Sequence, residues 1–143
     1  MAEGTTSRVS LTLESTIASV HAVEETALEY AHSAGFAPDI AAHLSMVAGE
    51  ATANAVIHGN QYDAAKRITA TFEITDSALT IKVADQGAGL DPETIPDPLA
   101  PENLLRCSGR GVFLMRAFMD EVHFRRLDPG TEISLIKHRI PPG

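Results

Sequence analysis

The chain has 143 residues, 44% of them hydrophobic and 21% charged, a composition typical of one soluble globular domain. Its formal charge of −8 at pH 7 argues against nucleic-acid binding, which usually needs a clustered basic surface. Cys107 is the single cysteine, which excludes an intrachain disulfide. Because the sequence shows neither a signal-peptide pattern nor an apolar run near the roughly 20 residues that span a bilayer, we expect a cytoplasmic protein without a membrane partner.

The sequence begins with a strand pattern followed by a helix pattern. Apolar and polar residues alternate over residues 8–13, which predicts a half-buried strand. Apolar residues then recur at helical spacing as far as Gly35, which is expected to end the first helix. Ser15 or Thr16 is in position to cap the N-terminus of that helix.

The second predicted helix carries the first candidate site. Pro38 opens this helix, and Gly59 is the natural residue past its end. Glu50, Asn54 and His58 are spaced i, i+4 and i+8, so a regular helix places them on one face. A buried carboxylate and amide need partners or a polar ligand, and a ligand carrying phosphates and Mg²⁺ suits both groups. The alternative is a solvated polar face, and we interpret His58 as a structural residue at the helix end.

Two strands and a glycine-rich turn follow. Residues 68–74 and 79–83 alternate with strand period on either side of a short turn, which predicts an antiparallel hairpin. Asp85, Gly87 and Gly89 come directly after the second strand. Glycines two apart allow a tight backbone path and close approach of a ligand, and Asp85 can point its carboxylate into the floor of a pocket. The alternative is a turn that only terminates the strand.

A long loop then leads into a glycine-rich helix start. The segment after Leu90 is rich in proline and acidic residues, and we predict a mobile lid over about residues 90–108. Gly109, Arg110 and Gly111 feed directly into an apolar helix. Unpaired N–H groups at a helix N-terminus bind anions, so this segment is a candidate phosphate site, with a simple glycine hinge as the alternative.

The last part of the chain predicts a second strand pair. Residues 121–127 and 131–138 flank the turn signal Asp128-Pro129-Gly130. Thr131 lies just inside the returning strand. The chain has no internal repeat and no linker composition, so we predict a single domain over residues 1–143.

Four motifs, in this order along the chain, resemble a known nucleotide-binding domain. They are E-x-x-x-N on a helix, D-x-G-x-G after a strand, G-x-G opening a later helix, and G-T near the last strand. The set is similar to the ATP-binding domain of gyrase, a heat-shock chaperone, sensor histidine kinases and MutL-type repair proteins. Within that superfamily, EATANAVIHG, ADQGAGLDP and GRGVFLMRAFMDEV resemble the bacterial anti-sigma-factor serine kinases of partner-switching systems.

The resemblance implies a fold and an adenine site. The fold is an α/β (α+β) two-layer sandwich of the Bergerat type, in which helices cover one face of a mixed, mainly antiparallel sheet and ATP lies between helices and lid. Asp85 would accept a hydrogen bond from the adenine amino group, with Thr131 assisting near the same base. Gly87 and Gly89 would let the backbone pass close to the nucleotide.

The resemblance also implies roles around the phosphates. Asn54 would hold Mg²⁺ through its side-chain oxygen, and Glu50 would act as the general base that takes the proton from a serine hydroxyl. Either Arg106 or Arg110 would neutralise the γ-phosphate. The residues that would wrap the phosphates are Gly109, Arg110 and Gly111.

By resemblance, the chain would be an ATP- and Mg²⁺-dependent serine/threonine protein kinase. Its substrate would be an anti-sigma-factor antagonist, and it would also bind and inhibit a sigma factor, working as a homodimer. The alternative is an ATP- or ADP-binding interaction module with little or no phosphotransfer. The presence of both Glu50 and Asn54 favours the enzyme.

Overall fold

The structure is a computed structural model, and it describes residues 5–87 and 111–139. The described strands are β1 (Thr5–Glu14), β2 (Arg67–Thr75), β3 (Ala78–Ala84), β4 (Glu121–Arg126) and β5 (Thr131–His138). The described helices are α1 (Ile17–Ser33), α2 (Pro38–Asn54) and α3 (Gly111–Phe118), and a π-helical turn (Ala55–Gly59) continues α2. These elements match the predicted order of strands and helices. The predicted lid lies outside the described residues.

The five strands form one sheet in the order β1-β2-β3-β5-β4. Every neighbouring pair of described strands is antiparallel, whereas the resemblance implied a mixed, mainly antiparallel sheet. The pairs β2–β3 and β4–β5 are hairpins, and β5 enters the sheet beside β3 in the opposite direction. The end of β3 and the start of β5 therefore lie side by side in the interior of the sheet.

The core lies between one face of the sheet and the helices. Phe72, Ile81 and Leu135 face one another across three neighbouring strands, and all three are fully buried. The next row holds Thr71 and Lys82, which point to the opposite face because side chains alternate along a strand. Helices α1 and α2 pack on each other and on the buried face. This arrangement confirms the predicted two-layer α/β fold.

Helix α1 ends as the sequence predicts but begins differently. Gly35 follows it with a positive φ of +88°, a backbone conformation that suits glycine. Thr16 is the N-cap residue, yet its side chain forms no capping hydrogen bond. The Ser15 hydroxyl instead donates to the backbone oxygen of Lys66 at 2.7 Å and accepts from Nδ2 of Asn60 at 2.9 Å. The predicted side-chain cap is therefore wrong, and Ser15 ties the start of α1 to the start of β2 instead.

Helix α2 is the central helix of the fold. Within the 22 residues Pro38–Gly59, an 18-residue window has a mean hydropathy of 1.2, so in the described part of the chain this stretch alone is long and apolar enough to be a candidate membrane span. Half of that window is buried inside the protein. Burial of this kind is what the core helix of a globular domain shows, since its apolar face packs against α1 and the sheet.

Candidate functional site

The polar stripe on α2 ends at Asn54, because the helix widens there. The backbone N–H of Asn60 donates to the oxygen of Ala55 at 2.8 Å, an i→i+5 bond that closes a π-helical turn. This wider turn changes the helical phase after Asn54. Glu50 and Asn54 are half-buried, whereas His58 is exposed. The expectation of one continuous face over Glu50, Asn54 and His58 therefore holds only for its first two residues.

Asn54 carries a buried acceptor that lacks a hydrogen-bond partner among the described residues. Leaving such a group unsatisfied costs about 1–3 kcal/mol, so the oxygen, Oδ1, is suited to a ligand. Glu50 lies one helical turn earlier and forms no ion pair with another described residue. An amide oxygen is a hard ligand of the kind that Mg²⁺ prefers, and a nearby carboxylate can accept a proton.

Asp85 occupies the position directly after β3 and is buried. Its Oδ1 accepts the backbone N–H of Gly87 at 2.9 Å and that of Thr131 at 3.2 Å. The backbone N–H of Asp85 donates in turn to the oxygen of Thr131 at 3.0 Å. The structure thus brings Asp85, Gly87 and Thr131 together at the adjacent ends of β3 and β5.

Burial dominates the electrostatics of Asp85. Loss of solvent raises the pKa of its carboxyl group above the ordinary value, while the two backbone hydrogen bonds and the charge of Lys66 oppose that rise. The net effect favours a proton on Asp85, or a hydrogen-bond donor placed beside it. A ligand bearing an amino group would supply such a donor.

Three glycines surround Asp85 at distances that leave no room for a side chain. A Cβ on Gly59 would overlap the Asp85 carboxylate, one on Gly87 would overlap the backbone oxygen of Gly59, and one on Gly130 would overlap the backbone oxygen of Asp85. Among the described glycines, Gly35 and Gly130 have positive φ, and Gly59 does not. Gly59 is therefore required for space against Asp85, rather than for the helix-ending conformation that the sequence predicted.

The sequence reasoning missed the residues that hold this end of the fold together. The sequence pattern predicts Gly59 and Asn60 only as residues that close the second helix, and Gly130 only as a turn residue. Asn60 is buried and fully hydrogen-bonded beside the site. The one available signal was a polar Asn directly after His58-Gly59, at the point where an apolar helix ends.

The phosphate-binding candidates are only partly described. Gly89, Arg106, Gly109 and Arg110 lie outside the described residues. Gly111 is the first residue of α3. Helix α3 packs beside α2, where the ring of Phe118 stacks on that of His43 with centroids 4.2 Å apart and planes 17° apart. The helix that follows the predicted phosphate loop is therefore attached to the helix that carries Glu50 and Asn54.

Comparisons with known proteins agree with this geometry. A family model described as the histidine kinase-like ATPase domain matches residues 13–137. The serine-protein kinase RsbW of Staphylococcus epidermidis is 34% identical over 112 residues, covering 73% of this chain and 70% of the relative. The anti-sigma F factor of Anoxybacillus flavithermus is 34% identical over 100 residues, covering 66% and 67%. The serine-protein kinase RsbW of Listeria innocua is 28% identical over 114 residues, covering 76% and 72%.

The family match spans β2 and β3, α2 with its π-helical turn, and most of β5, so it includes every described candidate residue. The description of this family names an ATPase domain, which implies ATP binding. Two of these relatives are named serine-protein kinases and one is named an anti-sigma factor, and these are the two activities that the resemblance implied. The chain therefore belongs to the histidine kinase-like ATPase domain family, in its branch of partner-switching anti-sigma-factor serine kinases.

Proposed function

We propose that this chain transfers the γ-phosphate of ATP to a serine or threonine of an anti-sigma-factor antagonist, and that it also binds and inhibits a sigma factor. The observation that carries the kinase proposal is the buried Oδ1 of Asn54, which has no hydrogen-bond partner among residues 5–87 and 111–139 and lies one helical turn after Glu50. The names of the relatives support the identity of the two partners. The proposed location is the cytoplasm, where a sigma factor acts.

The base end of the nucleotide would lie at Asp85. Its carboxylate is desolvated, and the donors from Gly87 and Thr131 both reach Oδ1. The adenine amino group would donate a hydrogen bond to this carboxylate. Gly87, and Gly89 beyond it, would let the backbone pass close to the nucleotide, with Thr131 assisting near the base.

The phosphate end would lie along α2. Mg²⁺ would be held by Oδ1 of Asn54, and it would supply charge neutralisation for the phosphate oxygens. Mg²⁺ commonly takes only one or two protein ligands beside phosphates and water. A single amide oxygen from α2 is consistent with that pattern, and the described ranges hold no group of three His, Cys, Asp or Glu residues that could bind a metal by themselves.

Glu50 would act as the general base. Its half-buried carboxylate would take the proton of the partner's hydroxyl as that oxygen bonds to the γ-phosphorus and the bond from phosphorus to the β-phosphate oxygen breaks, which releases ADP. Gly109, Arg110 and Gly111 would bind the phosphates through the N-terminus of α3. Arg106 or Arg110 would neutralise the γ-phosphate.

Phosphotransfer and its assignment to Glu50 can be tested together. Purified protein is incubated with γ-labelled ATP, Mg²⁺ and candidate antagonist proteins from the same cell, and phosphoserine is measured. Glu50→Gln removes the base but preserves size, and Glu29→Gln is the matched control because Glu29 is exposed on α1. We expect wild type and Glu29→Gln to label serine, and Glu50→Gln to bind ATP without transferring phosphate.

The alternative function gives a different result in the same assay. A nucleotide-binding interaction module would bind ATP or ADP and capture its partner without labelling any candidate. Size-exclusion chromatography of the same samples, with and without a sigma factor, measures the inhibitory complex and the proposed homodimer independently. Failure to bind adenine nucleotides at all would contradict both functions.

A further inference from the structure

Asn60 is the most completely bonded polar side chain near the candidate site. It directly follows the π-helical turn and is 1% exposed. Its Oδ1 accepts the backbone N–H of Gln86 at 2.7 Å. Its Nδ2 donates to the hydroxyl of Ser15 at 2.9 Å and to the backbone oxygen of Arg67 at 3.0 Å. The side chain therefore joins the end of α2, the start of α1, the start of β2 and the end of β3.

These hydrogen bonds close a ring between three residues. Asn60 donates to the oxygen of Arg67, the N–H of Arg67 donates to Oε1 of Gln86 at 2.6 Å, and the N–H of Gln86 donates back to Asn60. Because each member is tied to both others, the segment after β3 cannot shift along its axis without breaking at least two hydrogen bonds. Asn60 is the buried member of the ring, whereas Arg67 and Gln86 are exposed, and a buried polar side chain whose hydrogen bonds are satisfied fixes the backbone that it contacts.

Gln86 connects the ring of hydrogen bonds to the candidate site. Gln86 lies between Asp85 and Gly87, the two residues that would meet the base. Its N–H is held by Asn60, and the next N–H along the chain, that of Gly87, is held by Oδ1 of Asp85. The side chain of Asn60 thus fixes the peptide that sets the direction of the Asp85 carboxylate.

We infer that Asn60 is a positioning residue for base recognition, which acts on the nucleotide through Gln86 and Asp85 without touching it. The inference rests on the proposed ATP site and adds to it a determinant of the preference for adenine. Adenine presents an amino donor where guanine presents an oxygen acceptor, so a carboxylate held in one direction discriminates between ATP and GTP. A carboxylate free to turn would discriminate less, because preorganisation supplies part of the affinity.

Three substitutions separate positioning from stability. Asn60→Ala removes all three side-chain bonds. Asn60→Asp keeps an acceptor for the N–H of Gln86 but loses both donors, and therefore retains two of the three hydrogen bonds of the ring. Ser15→Ala is the matched structural control, because it removes a buried hydroxyl from the same network on the side of Asn60 that faces away from Gln86.

The experiment measures the affinities for ATP and GTP by calorimetry, and unfolding by denaturant, for wild type and the three variants. We expect Asn60→Ala to weaken ATP binding on the order of tenfold and to narrow the ratio of ATP to GTP affinity, with Asn60→Asp between it and wild type. Ser15→Ala should lower the unfolding midpoint while leaving ATP affinity within about twofold and the ratio unchanged. If Asn60→Ala does not fold, the same question is decided by comparing the ATP affinity, and the ratio of ATP to GTP affinity, of Asn60→Asp with those of Ser15→Ala.

Combination with Asp85→Asn tests whether Asn60 acts through that carboxylate. In the Asp85→Asn background, Asn60→Ala should cost less ATP affinity than it does in wild type, since coupled residues are not additive. Full additivity, or an equal loss of ATP affinity in Ser15→Ala, would overturn the positioning role. Wild-type protein that ignores adenine nucleotides would end the proposed function itself, whereas wild-type binding with unaffected Asn60 variants would end only this inference.

Discussion

The carboxylate of Asp85 lies directly against Gly59, although one residue follows a strand and the other ends a helix. Hydrogen bonds from Gly87 and Thr131 hold the same carboxylate from the other side. Backbone groups of Gly59, Gly87 and Thr131 therefore enclose the Asp85 carboxylate on two sides. Any change in this enclosure has to move either the carboxylate or the end of the helix.

Gly59→Ala is expected to destroy the site through steric overlap. The added Cβ would overlap the Asp85 carboxylate, which cannot move away without losing its backbone donors. We expect a loss of about 1–3 kcal/mol of unfolding free energy, the scale of overpacking, and at least tenfold weaker ATP binding. Chemical denaturation and calorimetry measure the two effects.

Gly35→Ala is the control for Gly59→Ala, since a Cβ there meets open space but the φ of +88° is strained for alanine. The strain should cost about 1–2 kcal/mol of unfolding free energy and leave ATP affinity unchanged. Equal nucleotide binding by Gly59→Ala and Gly35→Ala would show that the enclosure of Asp85 does not matter to the ligand.

Asp85→Asn should weaken ATP binding by about 1–3 kcal/mol, because a buried hydrogen-bonding partner is altered where the adenine amino group would sit. Asp76→Asn carries the same change of charge in the exposed turn between β2 and β3, at the opposite end of β3 from the site. In isothermal titration with ATP, Asp76→Asn should keep the affinity of wild type, whereas Asp85→Asn should bind more weakly. Unchanged affinity in Asp85→Asn would remove Asp85 from the adenine role.

Asn54→Ala should separate stability from ligand binding. The variant removes a buried oxygen that lacks a described partner, so the ligand-free protein should stay within about 1 kcal/mol of wild type. Mg²⁺ and ATP together should raise the melting temperature of wild type and have much less effect on Asn54→Ala. Wild type with ATP and a chelator serves as the control, and an equal thermal shift in both proteins would exclude Asn54 as the metal ligand.

The raised pKa of Asp85 predicts a specific dependence of stability on pH. Since the folded protein holds this proton more tightly than the unfolded chain, the contribution is complete below the ordinary pKa of 3.8 and is lost as pH rises through the raised folded value. The unfolding free energy of wild type minus that of Asp85→Asn should therefore fall with rising pH from about 3.8 and then level off.

Denaturant unfolding of wild type and Asp85→Asn at a series of pH values measures that difference. Glu121, whose pKa is lowered by hydrogen bonds from His138 and His123, is common to both proteins, so its opposite contribution cancels. A difference that rises with pH would mean that the backbone donors outweigh burial at Asp85.

Local patterns predicted the elements because local chemistry determines them. Gly35 ends α1 in a left-handed conformation that the sequence alone indicates, and the turn before Thr131 divides two strands of clear period. The π-helical turn was missed, since the residues of Ala55–Gly59 fit a regular helix equally well. The sequence pattern predicts Gly59 at the helix end, but the reason for glycine there is the contact with Asp85, which only the tertiary fold supplies.

The sequence does not predict the contacts in the site that are formed between residues far apart in the chain. Asn60 bonds Ser15 and Gln86, which are 45 and 26 positions away in the sequence, so no local pattern could connect them. Asp85 and Thr131, 46 positions apart, were linked only through the resemblance to a known family. The neighbouring positions of β3 and β5 in the sheet supply the physical reason for that link.

The strand order has a consequence for how this protein could change over evolutionary time. The two strand ends that meet at Asp85 are interior, whereas β1 and β4 form the borders. Substitutions along the borders can change the surface of the protein while the surroundings of Asp85, the proposed base contact, keep their geometry. We therefore expect proteins descended from this chain to change their protein partners before they change the nucleotide that they bind.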